Sequence, residues 1–176
     1  MDLQNITLIS LGYFENEFLR KISDAVSGQL KLPVIIREAN LDLIEFYDAG
    51  RRQYNGNTIL QEIDKLFGSD KSKTIALLNV DLFIPILTFI FGQAYLNGRT
   101  AIASIYRLGN EPYGLERDDE ILADRFIKEV IHELGHTLGL KHCHIQTCVM
   151  RSVTYIEEID QKMHALCPSC RKQTGL

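Results

Sequence analysis

The sequence predicts an α/β fold in a single domain, residues 1–176, and three observations carry that reading. Short apolar segments alternate with amphipathic helical stretches over the first eighty residues. Further on, an Asn97-Gly98 dipeptide separates two strand-like runs just before the longest helical stretch. At 176 residues, 45% hydrophobic and 24% charged, the chain has the length and composition to build one real core.

Taken in order, Ile6 to Leu11 is a short apolar strand. Phe14 to Leu30 has helical spacing through Phe18, Leu19, Ile22 and Val26, with acids in its first turn. Leu32 to Arg37 is short and β-branched, a second strand. Asn57 is placed to cap a helix whose inner face is Ile59, Leu60, Ile63 and Phe67, with Gly68 closing it. Thr74 to Val80 reads as a third strand, so a largely parallel sheet is expected. Phe89 to Leu96 and Thr100 to Leu108 then form an antiparallel hairpin, at an edge of the sheet. The longest helix spans Asp118 to Leu138. Phe126, Ile127, Val130, Ile131, Leu134 and Leu138 mark its buried side, and Arg125, Glu129, His132 and His136 form a polar stripe. A final helix, Thr154 to Ala165, is expected before Cys167.

Charge and hydropathy exclude several functions. The net charge is −4 and no basic cluster stands out, which argues against nucleic-acid binding and a membrane-surface helix. The N-terminus carries acids where a secretory signal would carry bases, so no signal peptide is expected. The longest apolar run, Leu82 to Phe91, is interrupted by Pro85 and too short to span a bilayer. A cytoplasmic monomer is the expectation.

The chemistry concentrates in HELGHTLGLKHC, His132 to Cys143. Residues four apart share a helix face, so His132 and His136 can aim at one zinc ion. Gly139 permits the turn that brings His142 to the same ion from outside the helix. Three imidazoles leave one tetrahedral position for water, the mark of a catalytic site. Glu133 sits where its carboxylate can act as general base on a zinc-bound water. His144 and His164 lie outside this spacing and read as ordinary polar positions. Glu129 lies on the same stripe, within reach of the cleft or in a surface pair with Arg125 at i, i+4.

Cys143, Cys148, Cys167 and Cys170 are the chain's four cysteines. Two disulfides, free thiols or a metal site are all compatible with the count. Without a secretory signal, clustered cysteines favour metal. C-x₄-C followed by C-x₂-C suits a closed tetrahedral site. The redox reading of Cys167-Pro168-Ser169-Cys170 is weaker, because that motif normally opens a helix in a thioredoxin-like βαβ unit and here it ends the chain. Strands around Thr100 to Leu108 are candidates for holding an extended peptide, with Tyr95, Tyr106 and Arg107 as minor contributors.

HELGHTLGLKH, Cys143 directly after it, Cys148, Met150 and Cys167-Pro168-Ser169-Cys170 together resemble the archaemetzincin signature of the metzincin zinc metalloproteases. Looser resemblance extends upstream through Lys128 to Ile131, Phe91 to Ala94 and Tyr106 to Leu108. The resemblance implies a compact metzincin-like domain with a mixed twisted sheet, flanking helices and an active-site helix. It implies His132, His136 and His142 as catalytic zinc ligands and Glu133 as the general base. Met150 would be the methionine of the Met-turn. The four cysteines would hold a second, structural zinc that staples residues 143–176. Arg151 to Tyr155 departs from the usual small, polar continuation, and Ser152 stands where some metzincins carry a tyrosine, so no tyrosine role is carried over. The implied function is a zinc peptidase acting on peptide or protein substrates; internal cleavage and N-terminal trimming are both compatible. The competing reading is a non-catalytic zinc-dependent peptide- or protein-binding domain with a restricted cleft.

Overall fold

The computed structural model describes residues 3–175. In chain order the elements are β1 (Asn5–Leu11), α1 (Asn16–Leu30), β2 (Val34–Ala39), β3 (Tyr47–Asp48), β4 (Gln53–Asn55) and α2 (Gly56–Phe67). These are followed by β5 (Ser72–Leu78), β6 (Leu82–Ile84), β7 (Leu87–Ile90), β8 (Gly92–Ala94) and β9 (Thr100–Ser104). The long helix α3 (Asp119–Thr137) and two short helices, α4 (Ile156–Asp160) and α5 (Pro168–Thr174), complete the chain.

The main sheet has the order β2-β1-β5-β9-β8. β2, β1, β5 and β9 are mutually parallel and β8 runs antiparallel on the edge. Both faces of the central strands are covered, and β5 is buried along almost its whole length. One face carries Ile6, Leu8, Ile75, Leu77, Ala101 and Ala103 and packs on α1 and α3. The other presents Ile9, Ala76, Leu78 and Ile102 to Ile59, Leu60 and Ile63 of α2. Phe14, Phe18 and Phe126 stack where α1 meets α3, with ring centroids 6.0–6.1 Å apart.

A smaller sheet, β3-β4-β6-β7, was not foreseen. Its strands are two to four residues long, too short for periodicity to register. Phe89 and Ile90, expected in the hairpin, belong to this sheet; the chain changes sheets at Phe91 and re-enters as β8. The Asn97-Gly98 turn forms as expected, with Asn97 in the left-handed region (φ 54°). β9 ends at Ser104, because the residues after it turn towards α3.

Three further expectations shift. Asn55, not Asn57, caps α2, its side chain accepting from the Asn57 amide; Gly68 follows the helix with an extended backbone. β2 starts at Val34, because Lys31 closes α1 in the left-handed region and Pro33 cannot continue a helix. Only Ile156–Asp160 of the final expected helix is helical. Beyond it, backbone bonds go to the segment before Met150 instead: Met163 to the Thr147 carbonyl and Val149 to that of Ala165. The last helix is α5, opened by Cys167.

Phe126 is fully buried at the junction of α1 and α3. Phe126→Ala should cost about 3–5 kcal/mol of stability, measurable as a lowered midpoint in urea unfolding.

Candidate metal centre and cleft

Asp118 starts α3 by accepting hydrogen bonds from the Glu120 and Ile121 amides, both at 3.0 Å. From Arg125 to Gly135 every residue of the helix is buried, since the sheet covers one side and the C-terminal segment the other. The helix ends as the sequence predicted, with Gly139 at φ 89°. Gly139 donates to the His136 carbonyl and Leu140 to that of Gly135, a six-to-one closure that turns the chain back beneath the helix. The Asn97 amide also donates to the His136 carbonyl at 2.8 Å, so the β8–β9 turn docks on this helix end.

That turn sets the imidazoles. Nδ1–H of His132 donates to the Val149 carbonyl at 2.8 Å, and Nδ1–H of His136 to the Leu140 carbonyl at 2.7 Å. Each ring therefore carries its proton on Nδ1 and points a lone pair from Nε2 into the same space. The two Nε2 atoms stand 3.1 Å apart. Two lone pairs facing at that distance repel unless a cation lies between them. A tetrahedral zinc with Zn–N bonds of about 2.0–2.1 Å would hold its nitrogens about 3.3 Å apart. His142 supplies a third nitrogen, and the donor atoms of all three lie within 4.8 Å of one another. Burial lowers the pKa of all three imidazoles, most for His132, and so favours the neutral form that ligates metal. The donor set fits zinc.

Beneath these rings the helix and the returning chain approach closely. A Cβ on Gly135 would overlap the Met150 sulfur. Met150 is fully buried there, and its carbonyl accepts from the Cys143 amide at 2.9 Å.

Cys143, Cys148, Cys167 and Cys170 form the second cluster, their sulfurs within 4.8 Å of one another. The Cys143–Cys167 and Cys148–Cys170 separations are both 3.8 Å. These are far too long for disulfides, which need about 2.05 Å, and close to the spacing of four thiolates about 2.3 Å from one zinc. Amides of Ile145, Cys167 and Cys170 point at three of the sulfurs. The Cys170 amide pulls Cys167 down to about 7, while burial pushes Cys148 and Cys170 up. The C-x₂-C motif opens a helix, with Cys167 capping α5, but no strand follows that helix among the described residues, so no βαβ unit forms. The partners of its sulfurs, drawn from the segment after His142, set it apart from a redox dithiol. His142 and Cys143 are adjacent, so one peptide unit joins the clusters.

A cavity of about 410 Å³ opens beside the three histidines. Glu133, His132 and Glu129 line its floor, Leu87 to Gly92 one wall, and Ser152 to Thr154 the other. The Thr100 to Leu108 stretch does not form that wall, because β9 lies inside the sheet between β5 and β8. Nor do Tyr95, Tyr106 or Arg107 line the cavity; Arg107 instead packs its guanidinium on the Phe89 ring at 4.4 Å.

Glu133 is buried, and its carboxyl is pushed well above the usual range, first by burial and then by the neighbouring Glu129 carboxyl. Glu129 does not pair with Arg125. Arg125 turns away to Asp160 (2.7 Å twice), the Leu108 carbonyl and Asn110. Those four bonds outweigh an i, i+4 pair worth tenths of a kcal/mol. Glu129 faces Glu133 and the buried Lys162, whose positive charge opposes the effect of burial on both acids. His144 is exposed, and His164 lies against Asp124.

Lys162 and Gly92 were missed. Lys162 lies 29 residues beyond Glu133 in a segment with no motif. A Cβ on Gly92 would stand 2.7 Å from Glu133 Cγ and 2.8 Å from the Ile102 carbonyl oxygen, so only glycine leaves room for the acid. No spacing signals such a contact.

The profile of peptidase family M54 matches residues 11–174. The chain belongs to that family, the archaemetzincins. It is 38% identical to the archaemetzincin of Natronomonas pharaonis over 172 residues, which cover 96% of this chain and 98% of the relative. It is 32% identical to that of Thermococcus kodakarensis, over 96% and 94% of the two chains. Among solved structures it is similar to a zinc-dependent peptidase from Methanocorpusculum labreanum, with TM-score 0.86 and 30% identity over 97% of this chain and all of the other. The Archaeoglobus fulgidus archaemetzincin, solved with malonate, superposes with TM-score 0.81 and 28% identity over 97% and 99% of the chains. The chain is a zinc metallopeptidase, and the expected metzincin-type mixed α/β domain is the fold it has.

Because Met150 leaves no space at Gly135, Gly135→Ala should displace the turn beneath the histidines and cost about 1–3 kcal/mol. Metal analysis of the folded variant should show reduced zinc retention after dialysis against a weak chelator.

Proposed function

We propose that the chain hydrolyses peptide bonds with His132, His136 and His142 as ligands of a catalytic zinc and Glu133 as general base. The observation that carries this reading is the convergence of three imidazoles, two of which, His132 and His142, line a cavity together with the buried Glu133. Zinc held there would acidify a water molecule and polarise the scissile carbonyl. Glu133 would take the proton as hydroxide adds to the carbonyl carbon. As the carbon–nitrogen bond breaks, Glu133 would deliver that proton to the departing amine. The substrate backbone would lie extended along β7, an edge strand whose residues line the cavity.

Met150 would provide the apolar floor beneath the metal. Cys143, Cys148, Cys167 and Cys170 would hold a second zinc with no position open to substrate, stapling the C-terminal segment to the chain leaving α3. Two zinc ions per chain are the expected complement. No helix among the described residues is long and apolar enough to cross a membrane. Four thiols gathered for metal instead of disulfides support a cytoplasmic setting. The binding-only alternative would have a cleft too restricted for turnover; an intact Glu133 lining a cavity of about 410 Å³ favours catalysis.

Glu133→Gln should retain both zinc ions and lower kcat/KM by about 10²–10⁴ in a peptide-library cleavage screen. Wild-type cleavage should disappear with chelator and return with zinc; retained cleavage by the variant would overturn the assignment of the base. Cys143→Ser should reduce zinc at the histidine site as well as at the cysteines, because one peptide unit connects them. Full histidine-site occupancy in the folded variant would show that the two sites are independent.

A further inference from the structure

One wall of the cleft is formed largely by β7. Ile86 and Leu87, at the turn between β6 and β7, are exposed, and the sheet behind them is built from very short strands. Side chains fix its position instead. Arg107 Nε and Nη2 each bond Asp81, both at 2.6 Å, and the same guanidinium covers the Phe89 ring at 4.4 Å. Buried Gln53 donates to Asp81 at 3.2 Å and to the Thr88 carbonyl at 3.0 Å. From one arginine, two routes thus reach adjacent residues of β7: directly to Phe89, and through Asp81 and Gln53 to Thr88. Arg51 holds the turn from its other end, bonding the Pro85 and Leu87 carbonyls. Among the described residues, no hydrogen bond of Arg107, Asp81 or Gln53 reaches the histidines, the cysteines or Glu133.

We propose that Arg107 is a specificity-determining positioning residue, whose guanidinium, bonded to Asp81 and stacked on Phe89, sets the β7 wall against which an extended peptide is held. The inference rests on the proposed placement of substrate along β7. Arg107 sits on the chain between β9 and α3, so it ties the substrate wall to the segment leading into the metal-bearing helix. A planar fork that is both bidentate and stacked is a task lysine cannot perform, although lysine keeps the charge.

The test compares wild type with Arg107→Lys, Arg107→Ala and Asp81→Asn on two zinc-loaded assays, an octapeptide that spans the wall and a dipeptide amide that does not. KM for the octapeptide should rise about tenfold in all three variants. Dipeptide kinetics, zinc content and melting temperature of Arg107→Lys should stay near wild type. Phe89→Leu, which removes the stacking face without disturbing the ion pair, should show part of the same KM rise and serves if an arginine variant fails to fold. Unchanged octapeptide KM in folded variants would overturn the proposal, as would parallel losses on both substrates with loss of zinc. If wild type cleaves neither peptide, the hydrolytic reading fails separately. Octapeptide affinity for zinc-loaded Glu133→Gln, with and without Arg107→Lys, then decides the wall proposal: a tenfold weakening supports it and equal affinity sinks it.

Discussion

The close approach of Met150 to helix α3 is the contact on which the site depends. It is possible only because Gly135 has no side chain. With Met150 seated there, the Val149 carbonyl reaches His132 Nδ1 and the Met150 carbonyl receives the Cys143 amide. The first bond fixes the tautomer and rotation of one ring of the histidine cluster. The second fixes the residue that begins the sulfur cluster. A single packing contact, between one helix turn and one thioether, therefore registers both clusters against the same helix. The β8–β9 turn adds to this by donating to the His136 carbonyl, so the edge of the main sheet also holds the end of α3.

Much of the site was legible because it is local. His132, Glu133 and His136 are placed by helix periodicity, His142 by a glycine stop, and the cysteines by ligand spacing. What escaped depends on contacts between distant parts of the chain. Gly92 faces Glu133 across 41 positions, and Lys162 opposes Glu129 from a segment whose apolar pattern suggested only a helix. The Arg125–Glu129 expectation failed because a local helix rule competed with a bidentate partner 35 positions away.

The fold divides along the same physical line. The central parallel strands β1 and β5 were readable because burial on both faces makes them largely apolar, and the helices because one face is apolar. The second sheet was not readable: strands of two to four residues owe their pairing to neighbours, with too few positions to show a period. The final helix was overestimated for a related reason. Ile156 and Ile159 are buried at helical spacing, but the backbone after Asp160 bonds across to Thr147 and Val149. An apolar spacing reports which side chains are buried, and leaves open where the peptide groups find partners.

The polar stripe of α3 explains why the C-terminal segment needs so much anchoring. Lys128, Glu129, His132 and Glu133 are all buried, and a charged group removed from water is costly unless partners surround it. The main sheet can cover the apolar side of the helix, but it offers these groups nothing. Lys128 pairs with Asp124 one turn earlier on the helix, and the other partners come from the C-terminal side: the Val149 and Ile159 carbonyls, and Lys162. That segment has a helix of only five residues before Cys167 and so little regular structure to hold it in place. The cysteine cluster closes it at both ends, Cys143 and Cys148 before, Cys167 and Cys170 after. The thiols thus do for the covering segment what the parallel sheet does for the other side of the helix. They let a functional helix keep its polar groups buried without giving up their hydrogen bonds.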